Sequence, residues 1–170
     1  MENEKSNGRT TAEDFRFRVS ILTMFIRDLS FENFAAQRGD RITGLSAGKL
    51  NHDLTMKVDL ARQGKTDDGQ GLFQVIISMN LEAKSEDKSI YLLDIEYCAM
   101  FAVDNLPEVK IRAFLLTQGP QLMFPFLRRI VADMTGDGGF PPHQMQLINF
   151  AELYEKKVRE ARLSDPSTNT

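Results

Sequence analysis

SIYLLDIEYCAMF, residues 89–101, decides the fold. Tyr91, Leu93, Ile95, Tyr97, Ala99, Phe101 and Val103 recur at every second position, an apolar face seven positions long. A helix would scatter those residues around its axis, whereas a strand puts them on one side. The alternate positions are mixed. Ile90, Leu92, Cys98 and Met100 are apolar, but Asp94 and Glu96 interrupt them. This strand, over 90–103, therefore has a continuous core face and a second face that is partly apolar and partly acidic.

Working outward, the preceding segment (72–84) carries Phe73, Val75, Ile77, Met79, Leu81 and Ala83 in the same rhythm. The polar turn SEDKS joins the two. Before it, 50–61 alternates His52, Leu54, Met56, Val58 and Leu60 with polar residues, and QGKTDDGQG makes the connection. Short polar turns between alternating segments are the signature of antiparallel hairpins. A fourth segment, 15–26, places Phe15, Phe17, Val19 and Ile21 on one face and Leu22, Met24 and Ile26 on the other. The stretch from 33 to 49 reads as an irregular loop.

The rhythm turns helical after Pro107. One helix is expected over 108–118, with Val109, Ala113 and Leu116 on a stripe. Gly119-Pro120 should break or kink it. Another is expected over 120–135, with Leu122, Phe126, Ile130 and Val131 inward and a bend at Pro125. GDGG at 136–139 supplies glycine for the helix end. After FPPHQMQLI, Asn149 and Glu152 fit a capping pair for a last helix, with Glu152–Lys156 and Glu155–Arg159 as i,i+4 pairs. The expected class is α+β: a four-stranded antiparallel meander followed by long C-terminal helices. Residues 1–14 and 164–170 are polar and read as disordered tails around one domain, 15–163.

Composition removes whole classes of function. Twenty-one Lys and Arg against 24 Asp and Glu leave a net charge of −3 over 170 residues, with a pI near 5.5. Such a chain is not built to bind nucleic acid. No apolar run approaches the roughly 18 residues of a membrane span. The N-terminus lacks the basic-then-apolar order of a signal peptide, so a cytoplasmic protein is expected. The single cysteine, Cys98, excludes an internal disulfide.

Catalytic chemistry finds little to work with. His52 falls in the core register of its strand and reads as a hydrogen-bonded core or interface histidine. His143 follows two prolines, and Cys98 has no adjacent base. No metal-ligand spacing occurs. GDGG follows a helix rather than a strand and lacks the Lys-Ser/Thr of a phosphate loop. Asp133, Thr135 and Asp137 only faintly echo a calcium loop, since Gln144 stands where the bidentate Glu belongs. No catalytic residue, metal or cofactor is expected. Asp28, Glu32, Asp94 and Glu96 are either a solvated edge or an acidic patch for a basic partner. Helices can cover only one face of a sheet, so the surplus apolar residues point to an oligomer, a client-binding surface, or both.

IRDLSFEN at 26–33, SIYLLDIEYCAMF at 89–101 and LMFPFLRRIVADMTGDGGFPPHQMQLINFAELY at 122–154, in that order, resemble SecB, the bacterial protein-export chaperone family. The likeness runs from about 15 to 154. The resemblance implies a homotetramer, a dimer of dimers, that holds unfolded precursor proteins without ATP and passes them to the SecA motor. It maps a docking patch for SecA's basic C-terminal zinc-binding tail onto Asp28, Glu32, Leu92 and Asp94, the zinc belonging to SecA. It maps positions that maintain the oligomer onto Leu93, Ile95 and Tyr97. For client contact it suggests Met56, Val58 and Leu60, then Phe140, Met145 and Leu147, then Phe150, Leu153 and Tyr154, each of which could equally be core. Two departures stand out. The C-terminal tail is nearly neutral where many members are strongly acidic, and Cys98 and Ala99 replace glycines found in some members.

The leading expectation is therefore an ATP-independent holdase. A SecB-like chaperone dedicated to one partner, such as an antitoxin, is the alternative, and retention of the four docking positions favours the export role. An enzyme or ligand carrier using the helix–sheet groove is disfavoured by the lack of convergent polar residues.

Overall fold

The computed structural model describes residues 17–42 and 49–163, the Arg162 side chain excepted. The expected tails and Phe15 lie outside that range. Seven elements follow in order: β1 (Arg18–Asn33), α1 (Phe34–Arg38), β2 (Asn51–Lys65), β3 (Gly71–Ser85), β4 (Lys88–Asp104), α2 (Glu108–Asp137) and α3 (Phe150–Leu163).

The four strands form one antiparallel sheet in the order β1-β4-β3-β2. β2, β3 and β4 run as the expected meander. β1 departs from sequential order and lies beside β4, which the long connection from β1 to β2 permits. The β2–β3 turn closes through Gly69 N–H donating to Thr66 O at 2.9 Å, with Gly69 at φ 80°. β3 and β4, central on both sides, carry the alternation read from the sequence. Val75, Ile77, Leu81, Leu93, Ile95 and Phe101 are buried in the main hydrophobic cluster.

β1 differs from expectation in length and in phase. It continues to Asn33, so Asp28 to Glu32 lie on the strand rather than after it. Its register against β4 slips between Ile21 and Thr23 and again between Ile26 and Asp28. Each bulge adds one residue and reverses the parity. Val19 thus faces Val103, Met24 faces Ala99, and Leu29 faces Ile95. Residues directly opposite share a face, so Met24 and Ile26 are on the core side with Val19 and Ile21, not on the opposite one. Tyr97 Oη confirms it by donating to Met24 Sδ at 3.7 Å.

α2 is one helix of 30 residues with Pro120 and Pro125 inside it, not two helices. Its buried stripe runs through Leu115, Leu116, Gly119, Pro120, Met123, Phe124, Leu127, Ile130 and Val131. Each large side chain there contributes roughly 1.5–3 kcal/mol by burial. Together they outweigh the cost of about 3 kcal/mol per internal proline. Gly119 permits the close approach: a Cβ there would meet Val75 Cγ2 at 3.2 Å. Treating the segment as two helices misphased it, and Val109, Leu122 and Phe126 are exposed rather than inward.

The GDGG end behaves as read. Gly139 takes φ 86° and Phe140 N–H donates to Thr135 O at 3.1 Å. Gly138 has no room for a side chain, since a Cβ would fall 2.5 Å from Phe31 Cζ. Asn33 ties this end to the sheet: its Nδ2 donates to Gly138 O at 2.9 Å while its Oδ1 caps α1. That five-residue helix stands in the stretch read as irregular loop. Asn149 caps α3, accepting from Glu152 N–H at 3.2 Å. Neither expected i,i+4 pair forms among the described residues; Lys156 pairs with Glu160 and Lys157 with Asp59.

Candidate functional site

The two sheet faces have separate characters. α2, α3 and the loop between them lie against one, the inner face. On the outer face, cross-strand pairing brings distant acids together. Asp28 stands opposite Glu96, Ser30 opposite Asp94, and Glu32 opposite Leu92. Asp28, Glu32, Leu92 and Asp94, far apart in sequence, thus share one surface. Asn80 Nδ2 donates to Asp94 Oδ1 at 2.8 Å and fixes its carboxylate. Arg27 Nε donates to Glu96 Oε2 at 2.7 Å, and that bond holds the Glu96 carboxyl below the ordinary range. Lys84 bridges Asp53 and Glu82. Among the described residues Asp28, Glu32 and Asp94 make no ion pair, so the patch keeps a net negative charge despite Arg27 and Lys57 nearby. A shallow depression of about 450 Å³ adjoins Asp28 and Asp94, lined also by Ser30, Lys57, Asn80 and Glu96 and reaching neither Glu32 nor Leu92.

The remainder of the outer face is less exposed than its sequence suggests. Cys98 lies between Phe25 of β1 and Ile76 of β3 and is fully buried. Burial raises its thiol pKa. Ile90 is also buried, in one cluster with Ala35 of α1. The surplus apolar surface sits at the β1 edge, at Phe17, Ile21, Leu22, Phe25 and Ile26, and at Leu122 and Phe126 on α2.

A second site lies between β2 and α3. A cavity of about 490 Å³ has Met56, Val58, Leu116, Leu153 and Tyr154 as apolar lining and Lys57, Lys156, Lys157, Asp59 and Glu160 around them. Lys157 staples the two elements, donating to Val58 O at 3.1 Å and Asp59 Oδ1 at 2.7 Å. Of the expected client-contact residues, Met56, Val58, Leu153 and Tyr154 meet here. Leu60 is half-buried outside this lining. Phe140, Met145 and Phe150 are core, at 4%, 2% and 4% exposure, so they offer no surface while the fold is closed. Leu147 is 83% exposed and stands alone on the loop. The lysines and Leu116 escaped sequence reading, although 153, 156, 157 and 160 share one helical face.

Leu93, Ile95 and Tyr97 are buried within the single chain, on the inner face. They have no surface to offer a second copy, so any effect on assembly passes through the helices packed over them. His52 is bonded as expected, its Nε2 lying 2.9 Å from Tyr91 Oη. Among the described residues no three His, Cys, Asp or Glu group as a metal site. No described helix is long and apolar enough to cross a membrane.

Residues 12–161 match the family model described as preprotein translocase subunit SecB. The chain belongs to the SecB family. The protein-export protein SecB of Dinoroseobacter shibae is 36% identical over 165 residues, covering 93% of this chain and 91% of that one. The SecB of a Jannaschia species is 37% identical over 153 residues, covering 88% and 85%. A solved SecB-like chaperone of Mycobacterium tuberculosis, in complex with a peptide of the HigA1 antitoxin, shares the fold. Its TM-score is 0.60 at 21% identity, over 77% of this chain and 91% of that one. SecB is thus an export-chaperone family, and its α+β architecture is the one described above.

Proposed function

We propose that this chain is an ATP-independent holdase that binds unfolded precursor proteins in the cytoplasm, keeps them competent for translocation and delivers them to SecA. The observation that carries the reading is the β2–α3 cavity. Its apolar lining suits side chains that only an unfolded client exposes, and its methionine adapts to many shapes. Each such contact is weak, and a long client gains affinity by engaging several at once.

The outer acidic patch is the proposed dock for SecA's basic zinc-binding tail, through Asp28, Glu32, Leu92 and Asp94. Complementary charge speeds and selects that encounter. The apolar side chains left exposed on β1 and α2 favour a homotetramer assembled as a dimer of dimers, with Leu93, Ile95 and Tyr97 supporting the interface from beneath. These four retained docking positions favour general export over service to a single antitoxin.

The test presents a slow-folding, signal-bearing precursor first unfolded and then native, without nucleotide. Binding to the unfolded form alone is expected. Equal binding to both forms, or to neither, contradicts the holdase reading.

A further inference from the structure

The chain has only two histidines, and the fold stacks them. His52 on β2 and His143 on the α2–α3 loop have ring centroids 4.1 Å apart, at 38° to each other. The loop is otherwise tied here by few polar contacts. His143 N–H donates to Thr135 Oγ1 at 2.9 Å, and Phe140 packs its ring 4.8 Å from that of Tyr91. Tyr91 Oη in turn meets His52 Nε2. Within the loop itself, Phe140 and Met145 are both buried.

We propose that the His52–His143 pair is an acid-opened latch, holding the α2–α3 loop on the sheet while both rings are neutral and releasing it when they charge.

Among the described residues, the surroundings offer a charged imidazole no anionic partner. Among those same residues, Tyr91 from β4 is the one titratable group facing the pair besides the imidazoles themselves. β3 presents Ala83 opposite His52, β1 brings Phe31 against Tyr91, α2 gives the Thr135 hydroxyl, and the loop gives Phe140. Asp53, next to His52 in sequence, faces the other side of the sheet, where Lys84 holds it at 3.0 Å. Burial, then repulsion from His52, pushes His143 down to about 4. Burial likewise lowers His52 and raises Tyr91 to about 12, so that hydroxyl stays neutral.

The sign follows. In the open loop the imidazoles recover their ordinary value of about 6.5. Between about 6.5 and 4 the open form therefore holds more protons than the closed one, and falling pH favours opening. The latch is fully closed above about 6.5, and its contribution is gone below about 4. Both rings are partly exposed, so solvent screening trims the effect to about tenfold in the opening constant between pH 7.5 and 5. Opening uncovers Phe140 and Met145, whichever clients or partners the chain serves.

Hydrogen exchange of the full chain, corrected for intrinsic rate, tests this over residues 138–149 at pH 7.5, 6 and 5. Wild type should show the tenfold rise, and His143→Phe, which keeps a stacked ring and leaves only His52 to charge, should show a clearly smaller one. Identical pH dependence in the two proteins, or no rise in wild type, overturns the latch. Should His143→Phe fail to fold, NMR titration of the wild-type imidazoles decides, since only two sets of signals exist. Both midpoints below about 6.5 are expected, and either one at or above it overturns the proposal.

Discussion

Leu93 and Leu92 are neighbours on β4 that point to opposite faces of one sheet. Leu93 is wholly buried under the helices. Leu92 stands half-buried opposite Glu32, within an open acidic surface. The contrast extends across the molecule. The inner face is a continuous apolar core in which burial supplies stability. The outer face keeps Asp28, Glu32 and Asp94 outside any ion pair among the described residues, an arrangement that adds little stability and suits recognition. One strand therefore carries the fold on one parity and the proposed docking chemistry on the other.

Substitutions can break that division. Leu93→Ala should cost about 3 kcal/mol of unfolding free energy, through lost transfer and a residual cavity; Leu92→Ala should cost about 1. Equal losses in urea titrations of the two proteins would erase the distinction between faces. Gly138→Ala comes next, at about 2 kcal/mol, because its Cβ must displace the Phe31 ring from the core side. A smaller loss, about 1 kcal/mol, is expected for Asn149→Ala, which removes the α3 cap; thermal unfolding reads both. Arg27→Ala should change stability least, with no resolvable shift in thermal unfolding, since its pair with Glu96 is exposed on the outer face. A loss there as large as that of Asn149→Ala would mean that the outer face stabilises the fold more than its exposure implies.

Much of this division is legible in the sequence. The alternation on β3 and β4 is unbroken, and both strands form where the pattern places them, with the core on the expected parity. β1 was harder because two bulges reverse its phase, and a single sequence carries no mark of an inserted residue at Leu22 or Arg27. The local effect of Pro120 and Pro125 predicts breaks in α2, whereas the buried stripe on either side of them outweighs it. For the site, spacing alone left the acids undecided between a solvated edge and a patch. Their convergence depends on β1 pairing with β4, a long-range contact that local pattern does not encode. The stacking of His52 on His143 is hidden for the same reason, as is the Lys157 staple that shapes the β2–α3 cavity.

The outer face is proposed to dock a basic partner while the β2–α3 cavity holds the client. Asp94→Lys tests this directly, measured in parallel for binding of a zinc-loaded SecA tail peptide and for retention of an unfolded precursor. The account predicts tail binding weakened at least about tenfold, with precursor holding unchanged and stability within about 1 kcal/mol of the parent. Equal loss of both activities, or undiminished tail binding, would contradict it.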